Sequence, residues 1–177
     1  MSGNRPVGLI AGDRNAISSV VTQEPTPRWA IMRRMISHET RLRVRYAETD
    51  QMGVVYHANY LVWMEVGRVE LCRSQGIRYR DMEKDDGILL AVADVHCRYA
   101  APAHYDEEIA IKTWIERSNP RVIEFAYEMR NAETDQLIAT GGTKHVFLNI
   151  EMRPVKLPER YHAAFGIESR NAVTSRT

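Results

Sequence analysis

One short stretch gathers most of the reactive side chains: Tyr46-Ala47-Glu48-Thr49-Asp50-Gln51-Met52-Gly53-Val54-Val55-Tyr56-His57-Ala58-Asn59-Tyr60. Asp50 is a carboxylate able to act as a general base, or as a nucleophile on a carbonyl. Tyr56, His57 and Asn59 follow where a helical pattern begins. Free backbone N–H groups and the positive dipole end converge at a helix start, a setting that suits a developing oxyanion. A carboxylate facing such donors points to chemistry at a carbonyl. The residues alone leave a plainer reading open, with Asp50 and Asn59 as turn and cap residues and His57 structural.

Positioning these groups falls to the elements on either side. Leu42, Val44 and Tyr46 alternate with Arg41, Arg43 and Arg45, the period-two pattern of a half-buried strand. Gly53 suits the turn that follows. A helix is expected from about Asn59, a plausible N-cap, to Gln75, with Gly76 as its stop. Tyr60, Trp63, Met64, Gly67 and Leu71 share one face, and Leu61, Val62, Val66 and Val69 extend the apolar surface, so the helix reads as buried around most of its circumference. Gly67 in mid-helix costs about 1 kcal/mol relative to Ala, which suggests close approach of a neighbouring backbone. Four more strands follow: Ala91 to Tyr99, Ile109 to Ile115, Ile123 to Met129 and Leu137 to Leu148. Gly141-Gly142 in the last suggests a bulge or close packing. Pro158 to Phe165 reads as a short final helix. Short connections imply antiparallel neighbours, and one sheet wrapped around one central helix is the simple way to bury that helix. The sheet's open edge and outer face are left for a partner subunit.

The chain has 177 residues, with 24 Lys and Arg against 23 Asp and Glu for a formal net charge of +1. That length implies one domain. A hydrophobic content of 44% and a charged content of 27% argue against wholesale disorder. Near-neutral charge removes the basic footprint of a nucleic-acid binder, and no apolar run is long enough to span a bilayer. The 2 cysteines, Cys72 and Cys97, make no disulfide framework, and the opening residues lack a secretory signal, so the expected location is cytoplasmic. Residues 1–36, with Gly3, Pro6, Gly8, Gly12, Pro25 and Pro27, show no sustained period and read as a flexible leader; translation beginning at Met32 or Met35 is the other reading. The domain is expected over residues 37–166, with a polar tail over 167–177.

The segment from Arg45 through Tyr60 to Glu65 closely resembles the 4-hydroxybenzoyl-CoA thioesterase family of hotdog-fold acyl-CoA thioesterases, particularly its YbgC-like branch. The resemblance runs from about Thr40 to Phe165, through Pro102, Asp106 and His145-Val146-Phe147. It implies an α+β hotdog fold, an antiparallel five-stranded sheet around one long central helix. It also implies homodimers joined edge to edge, often homotetramers, with active sites at the subunit interface. The family's catalytic carboxylate falls on Asp50. Its oxyanion-hole N–H falls on His57, whose imidazole is also associated with catalysis, and Tyr56 is expected to line the acyl pocket. The implied reaction is hydrolysis of an acyl-CoA, with coenzyme A part of the substrate and no separate cofactor. An acyl-carrier protein as acyl donor, or a non-catalytic acyl-CoA-binding protein on the same fold, are the alternatives.

Asn59, Arg117, Arg121 and Lys144 are the substrate-binding candidates. Arg117 and Arg121 flank Ser118-Asn119-Pro120, where the resemblance places contacts to the nucleotide. Glu65 and Arg68, one helical turn apart, read as an ion pair. Cys72 reads as a buried structural thiol, and His145 and His162 as structural. His96, Cys97 and His104 match no zinc spacing, so no metal is expected.

Overall fold

The structure, a computed structural model, describes residues 36–168. The leader and the tail read from the sequence lie outside these residues, except for Ile36, Ile167 and Glu168. Ile36 packs against the core and Ile167 is buried in it.

The strands are β1 (Ser37–Arg43), β2 (Leu89–Tyr99), β3 (Glu108–Ser118), β4 (Val122–Asn131) and β5 (Leu137–Leu148). They form one sheet in the order β1-β3-β4-β5-β2, with every neighbouring pair antiparallel. The long helix α1 (Asn59–Ser74) packs on β1, β3 and β4. This is the α+β arrangement of a hotdog fold. The inward residues of β3 (Ile109, Ile111, Thr113, Ile115) and β4 (Ile123, Phe125, Tyr127, Met129) are all buried, as their alternation dictates. Trp63, Met64 and Leu71 of α1 close the core from the helix side. No helix among the described residues is long and apolar enough to cross a membrane.

Several sequence expectations are corrected. The first strand ends at Arg43, and Tyr46 opens a 3-10 turn (Tyr46–Glu48) with its ring 78% exposed. The chain turns there because Glu48 is drawn inward, as described below. β2 and β3 are consecutive yet lie on opposite sides of the sheet. Their connection crosses the start of α1, where the Ala103 carbonyl accepts the Val55 N–H at 2.8 Å and His104 bridges Val54. A short loop can therefore join non-neighbours when it pairs with another loop on the way. Asn59 is the first helical residue; Ala58 occupies the cap position and makes no side-chain cap bond. A second helix, α2 (Tyr79–Asp86), escaped the sequence because its only buried residue is Met82, too little for a periodic signal. Pro158 to Phe165 forms two 3-10 turns, Glu159–Tyr161 and Ala163–Phe165.

Helix α1 is also less enclosed than its composition suggests. Leu61, Val62 and Val66 remain 39%, 47% and 37% exposed. β2 has a bulge between Val92 and Asp94 and pairs only with β5, so Val92, Val95 and Tyr99 are 56%, 41% and 48% exposed. One flank of the helix and one edge of the sheet thus stay open in the single chain.

Gly67 and Gly141 set the distance between helix and sheet. A Cβ at Gly141 would meet Met64 Cε at 2.3 Å and the His96 carbonyl at 2.5 Å, so the pair of glycines serves close packing. A Cβ at Gly67 would meet Thr113 Oγ1 at 2.4 Å and Ile111 Cγ2 at 3.0 Å. Helix propensity alone would make Gly67→Ala stabilising by about 1 kcal/mol. The contact reverses the sign: the substitution should destabilise by about 1–3 kcal/mol, because α1 must lift from β3. Urea denaturation checks this, and a variant as stable as the parent would show that helix and strand are not held this closely.

Candidate active site

Glu48 is a carboxylate that is only 5% exposed. Its Oε1 accepts hydrogen bonds from the Trp63 indole at 3.1 Å and from the Arg45 guanidinium at 2.9 Å. Its Oε2 accepts the Arg45 backbone N–H at 2.8 Å. Burial alone would raise the Glu48 pKa, but the Arg45 and Trp63 donors outweigh it and hold the carboxyl below its ordinary value. The Glu48 carbonyl accepts twice more, from the Tyr56 N–H at 2.8 Å and from the Asn59 amide Nδ2 at 2.8 Å. One residue therefore ties both ends of the Asp50 loop to α1. Asn59 is spent on this tie.

The loop between these ties is a tight turn. The Asp50 N–H donates to the Val54 carbonyl at 2.9 Å, and Gly53, at φ 75°, donates its N–H to the Asp50 carbonyl at 2.9 Å. The Met52 N–H donates to Asp50 Oδ1 at 2.8 Å. Oδ2 makes no hydrogen bond among the described residues. Asp50 is thus oriented through one oxygen and free at the other. It lines a cleft of about 360 Å³ together with His57, Val54, Tyr60, Tyr99 and Pro102.

His57 precedes α1. The Asn59 N–H donates to the Tyr56 carbonyl at 2.9 Å. A trans peptide points its N–H away from its carbonyl, so the His57 N–H is turned away from the helix and has no acceptor among the described residues. Tyr99 donates its hydroxyl to the His57 carbonyl at 3.0 Å and pins the next peptide as well. An unpaired N–H just before a helix, on a residue that shares a cleft with a carboxylate free at one oxygen, could polarise a carbonyl while the carboxylate or an activated water attacks it.

The other expected residues are distributed differently. Tyr56 is 47% exposed and packs at a tilt of 52° on His57 with ring centroids 4.3 Å apart, but it does not line the cleft within one chain. Arg117 and Arg121 are exposed near the β3–β4 turn, at the opposite end of the sheet from Asp50. Lys144 lies on the outer face, 3.8 Å from Glu124. A single chain brings none of the three cations to the cleft. Among the described residues no cluster of His, Cys, Asp or Glu could hold a metal ion. The sequence reading missed Glu48, Trp63 and the Tyr99 hydroxyl. An indole on the buried face of α1 needs an acceptor, and that requirement was the available signal for Glu48.

Arg68 does not pair with Glu65. Its Nη1 donates to buried His145 at 2.8 Å from Nε2, which also lies 2.9 Å from Thr143 Oγ1, and Thr143 in turn meets the Tyr127 hydroxyl at 2.8 Å. Burial first, and the nearby Arg68 charge second, push the His145 pKa down to about 3. Cys72 is buried and donates to the Tyr79 hydroxyl at 3.1 Å; burial pushes its pKa up to about 11, so the thiol stays protonated at neutral pH.

A long helix backed by a five-stranded antiparallel sheet, with Asp50 and His57 lining one cleft before the helix start, has the layout of a hotdog thioesterase. Comparison with known proteins agrees. The thioesterase-like superfamily matches residues 44–165. YneP of Bacillus subtilis (strain 168), named as a candidate acyl-CoA thioesterase, is 41% identical over 128 residues, 70% of this chain and 91% of that protein. The acyl-CoA thioester hydrolase YbgC of Escherichia coli O6:H1 is 29% identical over 124 residues, 70% of this chain and 92% of that protein. A DHNA-CoA thioesterase from Staphylococcus aureus has a similar solved structure, with a TM-score of 0.71 at 36% identity, covering 75% of this chain and 90% of that one. The chain belongs to the thioesterase-like superfamily and is a thioester hydrolase of its YbgC-like hotdog branch.

The buried histidine gives the fold an acid sensitivity. Between about pH 3 and the ordinary histidine value of 6.5, the unfolded chain binds a proton that folded His145 refuses. Stability is therefore complete above pH 6.5 and is lost on acidification, at up to about 1.4 kcal/mol per pH unit from this group. Thermal melts should show the midpoint falling from about pH 6.5 to pH 5, before most carboxylates titrate. His145→Gln should flatten that slope. Equal slopes in both proteins would show that His145 is not held neutral.

Proposed function

We propose that the protein hydrolyses acyl-CoA thioesters to a free carboxylic acid and coenzyme A, with Asp50 as the general base or nucleophile. The observation that carries this reading is the Asp50 carboxylate, oriented through Oδ1 and free at Oδ2 within the His57 cleft. In the general-base route Oδ2 takes a proton from water as the water oxygen attacks the thioester carbonyl. The carbonyl oxygen gathers negative charge beside the His57 N–H, the carbon–sulfur bond breaks, and the departing thiolate receives the proton. In the nucleophilic route Oδ2 attacks first, thiolate leaves, and water cleaves the resulting anhydride. Both routes need the same free oxygen and the same donor.

The proposed unit is a homodimer formed through β2. That edge has unpaired backbone groups and exposes Val92, Val95 and Tyr99, while α1 exposes Leu61, Val62 and Val66. Antiparallel joining of two copies sets the start of one β2 beside the end of the other. Arg117 and Arg121, remote from Asp50 in their own chain, then approach the partner's cleft, where their guanidinium groups suit the coenzyme phosphates. The same basic pair would suit an acidic acyl-carrier protein, so the assay includes both donors. A non-catalytic acyl-CoA-binding role has no use for the free Asp50 oxygen. With no disulfide framework in the sequence, the cytoplasm is the proposed location.

Asp50→Asn keeps the shape and the Met52 contact but can neither accept a proton nor attack. Turnover should fall at least about 100-fold with the fold intact. Steady-state thiol release over acyl-CoAs and acyl-carrier proteins, beside circular dichroism, measures this. An Asp50→Asn protein with near-parental turnover would exclude the mechanism.

A further inference from the structure

A second cavity, about 640 Å³, lies at the other end of α1 from Asp50. Four arginines line it, Arg68, Arg73, Arg78 and Arg80, against Glu65 and Glu83. Arg73 is already paired with Glu70, and Arg80 with Asp81 at 3.5 Å. Arg68 and Arg78 have no carboxylate partner among the described residues. Arg68 is half-buried; its Nη1 is held by His145, and its Nε is shielded from solvent without any acceptor. His145 stays neutral, so it offers Arg68 direction without counter-charge. A partly buried cation with no counter-ion is costly, and with Nη1 held and Nε shielded, Nη2 is left to donate one charge-assisted hydrogen bond to a carboxylate. The remaining walls, Val69, Leu90 and the Tyr79 ring 5.7 Å from the Arg68 guanidinium, suit a carbon chain.

The position of the cavity says which chain that is. It lies at the start of β2, beside Leu90, whereas the Asp50 cleft lies at the end of β2, beside Tyr99. In the β2-joined dimer proposed above, antiparallel pairing sets the start of one β2 toward the end of the other, so the arginine cavity of one copy comes to the side of the other's Asp50 cleft. We propose that Arg68 binds a carboxylate at the far end of the acyl group, so that the substrate class is a dicarboxylic acid joined through one carboxyl to coenzyme A. This rests on the thioesterase reading and on the two-fold pairing. Arg68 is the specificity-determining residue, and the chain His145, Thr143, Tyr127 positions it. Arg78, exposed at the rim, adds charge without a packing role.

The test compares glutaryl-, adipyl- and suberyl-CoA with valeryl-, hexanoyl- and octanoyl-CoA of equal chain lengths. The dicarboxylic member of at least one pair should have a kcat/KM at least about tenfold higher, carried by KM, as one charge-assisted hydrogen bond supplies. Arg68→Met should abolish that preference, lowering kcat/KM at least about tenfold more for the dicarboxylic thioesters than for the neutral ones. Arg78→Gln, which leaves the His145 chain intact, should reduce the preference about threefold by removing one screened charge. Calorimetry of the same thioesters on Asp50→Asn reads binding without turnover. Equal or better use of the neutral thioesters by the parent protein overturns the assignment. So does a folded Arg68→Met protein that loses both classes alike. If no thioester is hydrolysed at all, the thioesterase reading fails by itself, and calorimetry still decides whether the far carboxylate is bound through Arg68.

Discussion

The buried Glu48 carboxylate is the contact on which the site depends. Its side chain takes the Trp63 indole from the second turn of α1, while its backbone carbonyl takes Tyr56 and Asn59 at the helix start. The Asp50 turn is strung between these points. A carboxylate has lone pairs enough for three donors at once, and the buried Trp63 indole would otherwise be left unsatisfied at a cost of about 1–3 kcal/mol. The loop can therefore be short, charged and still fixed. Fixing matters because a displacement of about 1 Å at a reacting group can lower a rate about 100-fold.

The same economy governs the contact between helix and sheet. Gly67 and Gly141 remove the side chains that would hold α1 away from β3 and β5, so Met64 and Trp63 reach the core while the helix start stays over the β2–β3 crossover. The helix then covers β1, β3 and β4 but leaves β2 open. Within a single chain the Asp50 cleft lies at one end, and the Arg117–Arg121 turn and the arginine cavity lie toward the other. The two-fold joining proposed along β2 would unite them and would also cover the open edge.

Much of this was legible in the sequence. The inward residues of β3 and β4 follow from strict alternation, and a glycine amid helix formers signals close approach at Gly67, although the Thr113 and Ile111 side chains, not the expected backbone, make it. Asp50 and His57 could be singled out because a carboxylate beside a helix start is chemically distinctive, and the motif around them resembles a known family. What stayed hidden was whatever depends on tertiary pairing. β2 does not show alternation in its burial, because a bulge shifts its phase and its edge has no cover. α2 has one buried residue and no readable period. Glu48 looked like one more surface charge, since nothing local says that an indole fifteen positions later will need it. Arg68 looked like a helix ion pair because Glu65 is near in sequence, whereas its partner His145 is brought in by β5.

The central claim is that Glu48 holds the Asp50 turn, and Glu48→Gln tests it most directly. The side chain keeps its size but replaces one acceptor oxygen with an amide N–H₂ that faces the Arg45 or Trp63 donors. The measurement is kcat for thiol release with saturating acyl-CoA, paired with circular dichroism at the assay temperature. The account predicts a folded protein with kcat lowered by about tenfold to 100-fold, because Asp50 and the His57 peptide lose their shared support. A folded Glu48→Gln protein with the parental kcat would contradict it.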